Sequence, residues 1–554
     1  MVPLSEYPRP QIKRDSYLCL NGLWNYCISK EDNKDILCSK KIMVPYPLES
    51  EASLVGKRLN KGEFLYYKKE FLIEKKFLND HIILHFGAVD QICEIYLNGT
   101  FLGKHEGGYL PFFFDVSEYI TIGNNTLVVK VSDDLNIDLP YGKQKENNKG
   151  MWYTPISGIW QTVWLESVSE DYIENLSFFP DLDNNCINIS ICSSSPTFKV
   201  IIKENGKIIH KNKYRTPDFS IHIDNPILWN PDNPFLYEIE IETKKDKVIS
   251  YFAMRKFHSD NKYIYLNNKP IFLNGVLDQG YFQKGIYTPL SYKEYENDIL
   301  KMKELGFNTL RKHIKVEPLM FYYYCDLHGM IVMQDMVNLG KYSFLADTAF
   351  PAIGIKKKIG KVSEIQKENF INHSREIINH LHNVVSIGYY TIFNEGWGQF
   401  EADKVYEYLS SLDSSRIFDT TSGWFKEHQS DVESLHVYFK PIKLKESDKP
   451  IIVSEFGGYS YKVKDHIFSD KTFGYKKFKS QESFEEGFIG LYQKQVIPSI
   501  KKGLIGCIYT QLSDVEGEIN GILTYDREVC KLSISNISNL MNELYSAFEK
   551  SLSK

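Results

Sequence analysis

Two short segments end an apolar run on a carboxylate and follow it with glycine. In "YYTIFNEGWGQF" (Tyr389–Phe400) the carboxylate is Glu395, preceded by Asn394 and followed by Gly396. In "IIVSEFGG" it is Glu455, with a glycine pair two residues on. Glycine lets the backbone turn away and leaves space beside the acid. Two carboxyl groups facing one bond are what glycoside cleavage needs, one to deliver a proton and one to meet the developing positive charge.

Such a pair works only if the fold brings the two together. After about residue 258 the sequence alternates short apolar runs with helical periodicity, the pattern of a parallel sheet with crossover helices. The apolar runs are "IFLNGV", "NTLRKHI", "MIVMQDM", "VSIGYYTIFN", "RIFDTTS", "SLHVYF", "PIIVSEF" and "LIGCIYTQL". Helical spacing is clear in "SYKEYENDILKMKELG", "EIQKENFINHSREIINHLHN", "DKVYEYLSSLD", "FEEGFIGLYQKQVIPSIKK" and "LSISNISNLMNELYSAFEKSL". Eight alternating units predict a (β/α)8 barrel over residues 258–554, with its active site at the C-terminal strand ends. Glu395 then closes the fourth strand and Glu455 the seventh, on opposite sides of the barrel mouth. Residues 1–170 instead show β-branched and aromatic runs punctuated by turns, with "LNGT" a hairpin signal. Residues 171–257 hold a second set of such runs, sized for a small sandwich.

These segments together resemble the retaining β-glycosidases of glycoside hydrolase family 2, which includes β-galactosidases, β-glucuronidases and β-mannosidases. "YPRPQ", "LNGLWNY", "VPYPLESEAS" and "GIWQTVWLE" are similar to that family's sugar-binding jelly roll, and "LWNPDNPFLYEIEIE" with "YFAMRKF" to its immunoglobulin-like sandwich. In the barrel, "LNGVLDQGY", "GFNTLRKHIKVEP", "NEGWGQF" and "SEFGG" follow the family order. The resemblance implies three parts: a jelly-roll β-sandwich, an immunoglobulin-like β-sandwich and a C-terminal TIM barrel. It also implies a role for each acid, Glu395 as the acid/base and Glu455 as the nucleophile, with Asn394 on the sugar 2-hydroxyl.

The resemblance and the strand-end positions place Arg311, His313, His436 and Tyr438 around the pair, with Tyr438 able to hold Glu455. Trp397 and Trp424 follow strands four and five, where an indole can stack on a pyranose or simply anchor a loop. Asp278 is a further rim candidate, ahead of Asp335 and Gln511, and Lys315 with Glu317 is expected to form an internal ion pair. No cofactor is implied, and whether a metal assists is open.

Departures from the family pattern limit the sugar assignment. Where many relatives carry Arg-x-Ser-His-Tyr-Pro, this chain has "RKHIKVEP". The Asn-x-Lys grip of β-glucuronidases on a uronate carboxylate has no counterpart in "SDVEGEINGILTYDREVC". A neutral sugar is therefore expected, β-galactoside first on family frequency, with β-mannoside, β-glucuronide and pentose or furanose substrates behind it. Long segments at 341–362 and 457–483 are expected to act as lids or subsite walls. The chain stops soon after the eighth helix, so a short, three-domain version of the family is expected, with a homo-oligomer left open.

Composition excludes several classes. With 66 Lys+Arg against 71 Asp+Glu and no long run of either sign, the chain lacks a nucleic-acid footprint. No apolar leader opens it and no stretch is long enough to span a bilayer, so a cytoplasmic protein is expected. The nine cysteines lack zinc spacing and are expected to be buried thiols in a reducing compartment. A non-catalytic carbohydrate-binding protein is disfavoured by the presence of both acids. A metal-dependent barrel hydrolase is disfavoured because His380 and His382 fall at a helix end.

Overall fold

The computed structural model describes residues 2–33, 35–352, 355 and 361–553. The N-terminal part builds two main antiparallel sheets, beside a short two-stranded one of Val89–Asp90 and Gly158–Ile159. One orders Tyr17–Cys19, Val163–Val168, His81–Phe86 and Phe112–Asp115; the other orders Lys40–Val44, Gly22–Ser29, Phe64–Ile73, Gly123–Ser132, Ile92–Leu97 and Thr100–Glu106. The "LNGT" hairpin pairs Leu97 with Thr100 across Asn98 and Gly99, whose φ angles of 51° and 82° meet the left-handed requirement of a tight hairpin turn. Trp24, Leu65, Tyr67, Val129 and Val163 fill the space between the sheets.

A smaller sandwich follows. Its three-stranded sheet orders Asn175–Asp181, Cys186–Cys192 and Asp218–His222, and its four-stranded sheet orders Lys207–Tyr214, Phe198–Glu204, Tyr237–Glu242 and Lys247–Phe252. In "YEIEIE" Tyr237, Ile239 and Ile241 are buried while the glutamates between them face outward, the period-two pattern of a half-buried strand. That alternation also corrects the expectation of uniformly buried thiols. Cys38, Cys93, Cys325 and Cys507 are buried, whereas Cys27, Cys186 and Cys192 take outward-facing strand positions, and Cys19 and Cys530 are half-buried.

The C-terminal part is a parallel barrel of eight strands: β1 (Leu273–Asp278), β2 (Thr309–Lys312), β3 (Ile331–Asp335), β4 (Ile387–Asn394), β5 (Ile417–Ser422), β6 (Glu433–Val437), β7 (Ile451–Gly457) and β8 (Leu504–Thr510). Ladder hydrogen bonds link them in the order β5-β4-β3-β2-β1-β8-β7-β6. The last seam, β5 to β6, closes through side chains, with Ser434 Oγ donating to Asp419 Oδ1 at 2.8 Å. Strands β4, β5, β7 and β8 are buried at every position, as parallel strands covered on both faces must be.

The helical layer departs from a strict alternation. Among the described residues no helix follows β5 or β6, while a helix not expected from periodicity, Leu319–His328, follows β2. Its sequence "LMFYYYCDLH" is apolar almost throughout, so no polar face reveals the 3.6-residue period. Among the described residues no helix is long and apolar enough to cross a membrane.

Both sandwiches are tied to the barrel. Trp229 Nε1 donates to Asp326 O at 2.8 Å and Tyr251 OH to Asp326 Oδ2 at 2.9 Å. From the jelly roll, the segment at 141–154 runs across the barrel mouth: Tyr141 N donates to Asn338 O at 3.1 Å and Thr154 N to Glu516 Oε1 at 2.9 Å. Gly142, at φ 68°, allows this approach, since a Cβ there would lie 2.4 Å from Tyr109 OH.

Candidate active site

At the end of β4 the backbone leaves the strand at Glu395, which adopts φ 54° and donates its N–H to Ser422 O on β5 at 3.0 Å. A non-glycine residue in this left-handed region costs about 1 kcal/mol. The turn is continued by Gly396, where a Cβ would stand 2.5 Å from the Phe425 ring. This strained exit aims the Glu395 side chain across the barrel toward β7. There Glu455 is followed by Gly457, at φ 86°, whose missing side chain makes room for the Tyr509 ring.

The two carboxylates meet at His436, next to the C-terminal end of β6. Its Nδ1 lies 2.8 Å from Glu395 Oε1, its Nε2 lies 3.0 Å from Ser422 Oγ and 3.6 Å from Glu455 Oε1. An oxygen of Glu395, a ring nitrogen of His436 and an oxygen of Glu455 all lie within 4.8 Å of one another. Glu455 is held on its other side by Arg311, which donates Nη1 to Oε1 at 3.0 Å, and by the hydroxyl of Tyr438 on Oε2. Arg311 also donates to Asp335 Oδ1 at 2.9 Å, Ser454 O at 3.0 Å and Asn394 Oδ1 at 2.8 Å.

These partners push the two acids apart. Burial raises the Glu395 carboxyl above its ordinary value, and the negative charge of Glu455 adds to the rise against the pull of His436. Burial acts the same way on Glu455, but the fields of His436 and Arg311 and the Tyr438 hydrogen bond overcome it and hold that carboxyl low. One carboxyl pushed up and one held down, facing each other, is the arrangement that an acid beside a nucleophile requires.

A cavity of about 370 Å³ opens over the pair. Of the residues expected around it, Asn394, His313, His436, Tyr438 and Trp424 line it. Asn394 Nδ2 makes no hydrogen bond among the described residues, so it faces the cavity as a donor. His313 is anchored by Asp335 Oδ2 at 2.6 Å, and burial pushes its imidazole down to about 4, which keeps it neutral.

Three expected substrate contacts lie elsewhere. Arg311 is 0% exposed, does not line the cavity and hydrogen-bonds to protein acceptors, so it positions Glu455 and Asn394. Asp278 is paired with Lys312 Nζ at 2.6 Å beneath the cavity, in a buried network that includes the Lys315–Glu317 pair at 3.0 Å. Trp397 is 2% exposed, stacked on Trp152 at 5.4 Å, with the Tyr342 ring edge-on at 4.8 Å and Lys143 Nζ at 4.6 Å. Its ring is covered, so it anchors the jelly roll to the mouth.

Sequence reasoning missed Lys143, Tyr475 and Glu518, all lining the cavity. Tyr475 comes from the segment after β7 and stacks on Tyr438 at 4.2 Å, making that segment a cavity wall. The segment after β3 contributes Thr348, although part of 341–362 lies outside the described residues. Its Asp347 carbonyl accepts from Trp424 Nε1 at 2.7 Å.

For a metal, two groups of suitable side chains gather among the described residues: Glu395, His436 and Glu455, and the more exposed His466, Asp526 and Glu528. A dication between the first three would favour the ionised form of Glu395 as well as of Glu455.

Three descriptions of one family match the chain in order. Residues 39–168 match the family 2 glycosyl hydrolase sugar-binding domain, 182–255 a further family 2 domain, and 257–531 the family 2 TIM barrel domain. A β-galactosidase of Thermoanaerobacter pseudethanolicus is 27% identical over 296 residues, 49% of this chain and 39% of the relative. A β-glucuronidase of Bacteroides fragilis is 23% identical over 411 residues, 68% of this chain and 56% of the relative. The chain thus spans about half the length of these curated relatives. Among solved structures, a β-D-glucuronidase of Dictyoglomus thermophilum superposes with a TM-score of 0.75 at 20% identity, covering 97% of this chain and 98% of that one. A β-galacturonidase of Eisenbergiella tayi does so with a TM-score of 0.71 at 20% identity, covering 99% and 98%. At these identities the solved structures speak for the fold, and the three consecutive domain matches speak for the lineage: the chain belongs to glycosyl hydrolase family 2.

Proposed function

We propose that this protein is a retaining exo-β-glycosidase acting by double displacement. The observation that carries the reading is the pair Glu395 and Glu455, buried, opposed across the barrel mouth, with carboxylate oxygens within 4.8 Å and their proton affinities driven in opposite directions. Retaining enzymes hold the two groups about 5–5.5 Å apart, whereas inverting enzymes leave about 6.5–9.5 Å for a water.

Glu455, ionised, attacks the anomeric carbon while Glu395 gives its proton to the departing oxygen. The product is a glycosyl ester on Glu455. Once that ester forms, Glu395 no longer faces the negative charge of Glu455, and it takes a proton from the water that attacks the ester. Asn394 Nδ2, fixed through its own Oδ1 by Arg311, is placed to donate to the 2-hydroxyl. The cavity of about 370 Å³ suits one terminal sugar. Family frequency ranks β-galactoside first, but β-galactosidases and β-glucuronidases are both among the relatives, so the sugar turns on the chemistry of the cavity wall.

A panel of 4-nitrophenyl glycosides, with the anomer of the first-formed sugar followed by proton NMR, tests this reading. Release of the β-anomer is expected. Release of the α-anomer, or no turnover of any member, overturns it.

A further inference from the structure

The cavity wall contains a cation and an anion to which the two-carboxylate mechanism gives no task. Lys143 belongs to the jelly-roll segment crossing the mouth, yet its side chain is 5% exposed and lines the same cavity as Glu395 and Glu455. Among the described residues its Nζ has no hydrogen-bond acceptor and no carboxylate within salt-bridge distance. It rests only against the rings of Trp397, at 4.6 Å, and Trp152, at 5.9 Å. A buried ammonium with its N–H donors unused is costly unless something else occupies them. Burial lowers the proton affinity of this ammonium, and the strongest field opposing that is from Glu518, followed by Glu455 and Glu395.

Glu518 lies 2% exposed in the segment after β8. Tyr153 OH donates to its Oε2 and Asn520 Nδ2 to its Oε1 at 2.9 Å, so both neighbours support the carboxylate as an acceptor. Two protein donors use about half of the four lone-pair positions of a carboxylate, and the remainder serve the cavity. Burial raises this carboxyl while Tyr153 and Lys143 pull it back.

We propose that Lys143 and Glu518 form a donor–acceptor bracket for hydroxyls of the terminal sugar, and that this bracket selects neutral glycosides over uronides. The inference rests on the glycosidase reading. A hydroxyl satisfies both partners, accepting from Lys143 and donating to Glu518. A uronate can only accept, and pairing it with Lys143 brings it beside Glu518 and Glu455, where like charges disfavour it. The deep cations leave no surplus to offset that. Arg311 is committed to Asp335 and Glu455, and Lys143 sits in the negative field of Glu518. Lys440 and Lys443, which also line the cavity, are exposed on its rim, where water and salt screen them.

The test compares kcat/KM of the full chain on matched pairs, 4-nitrophenyl β-galactoside with β-galacturonide and β-glucoside with β-glucuronide. The best neutral substrate is expected to exceed its uronide by more than about tenfold, ~1.4 kcal/mol of transition-state binding. Glu518→Gln and Lys143→Met, with folding checked by circular dichroism, should each lower neutral-sugar kcat/KM about tenfold or more, chiefly through KM. Glu518→Gln should also narrow the gap to the uronide. A wild-type uronide that outperforms every neutral sugar overturns the bracket while leaving the glycosidase reading in place. So does a folded pair of variants with unchanged ratios. Absence of turnover on all members overturns the glycosidase reading itself.

Discussion

Arg311 donates Nη1 to Oε1 of Glu455 at 3.0 Å from a position with no solvent exposure. The same guanidinium holds Asp335, so one cation is shared by two buried carboxylates. Replacing it by methionine should destabilise the protein by about 3–5 kcal/mol, the usual cost of removing one partner from a buried ion pair. Urea unfolding reads that loss. In whatever fraction remains folded, Glu455 loses part of the field that holds its carboxyl low, so the carboxyl rises and the acidic limb of kcat/KM moves to higher pH. An acidic limb that stays in place would show that Arg311 does not set the charge of Glu455.

Proton affinity at Glu395 should follow the charge on Glu455. Glu395 is raised by burial and further by that negative neighbour. Esterification of Glu455 removes the charge, so the Glu395 carboxyl should fall, turning an acid into a base at constant pH. Carboxyl carbon NMR of glutamate-labelled protein, free and trapped as the 2-fluoroglycosyl ester, measures the change. A rise on trapping contradicts the assignment.

The two acids should also separate kinetically. Glu395→Ala is expected to lose about 10²–10⁴ in kcat/KM on substrates with poor leaving groups. On dinitrophenyl glycosides, which depart without a proton, it should lose far less. Added azide should restore its turnover and yield a β-glycosyl azide. Glu455→Ala should be inactive on both substrate types, and if the two variants behave alike, the roles are misassigned.

Trp397 and Trp424 should divide between stability and binding. Trp397→Leu breaks the stack on Trp152 that joins the jelly roll to the barrel, and should cost about 3 kcal/mol in unfolding free energy with little change in KM. Trp424 lines the cavity, and Trp424→Leu should raise KM with a smaller loss of stability. Thermal melts and Michaelis constants of the two variants check both statements, and reversed behaviour would put the sugar against Trp397.

The barrel and its two acids were legible because both depend on local pattern. Alternating strand and helix signals order the eight strands, and a carboxylate followed by glycine marks two strand ends. What was not legible depends on distant residues. The covering of Trp397 is decided by Trp152, and the task of Glu518 by Tyr153, a partner 365 residues away. Lys143 sits in a segment whose sequence, "LPYGKQKENN", carries no sign of a barrel mouth. Arg311 and Asp278 were rightly placed near strand ends, but position along a strand does not say whether a charged group meets substrate or another side chain.

The central claim is that Glu455 forms the covalent bond to the sugar. Incubation with the 2-deoxy-2-fluoro-β-glycosyl fluoride of the best aryl-glycoside sugar, followed by peptide mass spectrometry, tests it directly. The account predicts stoichiometric inactivation with one fluoroglycosyl group on the peptide that contains Glu455, and reactivation as the ester hydrolyses. A label on Glu395, or continued turnover of the ordinary substrate with no label on any carboxylate, would contradict it.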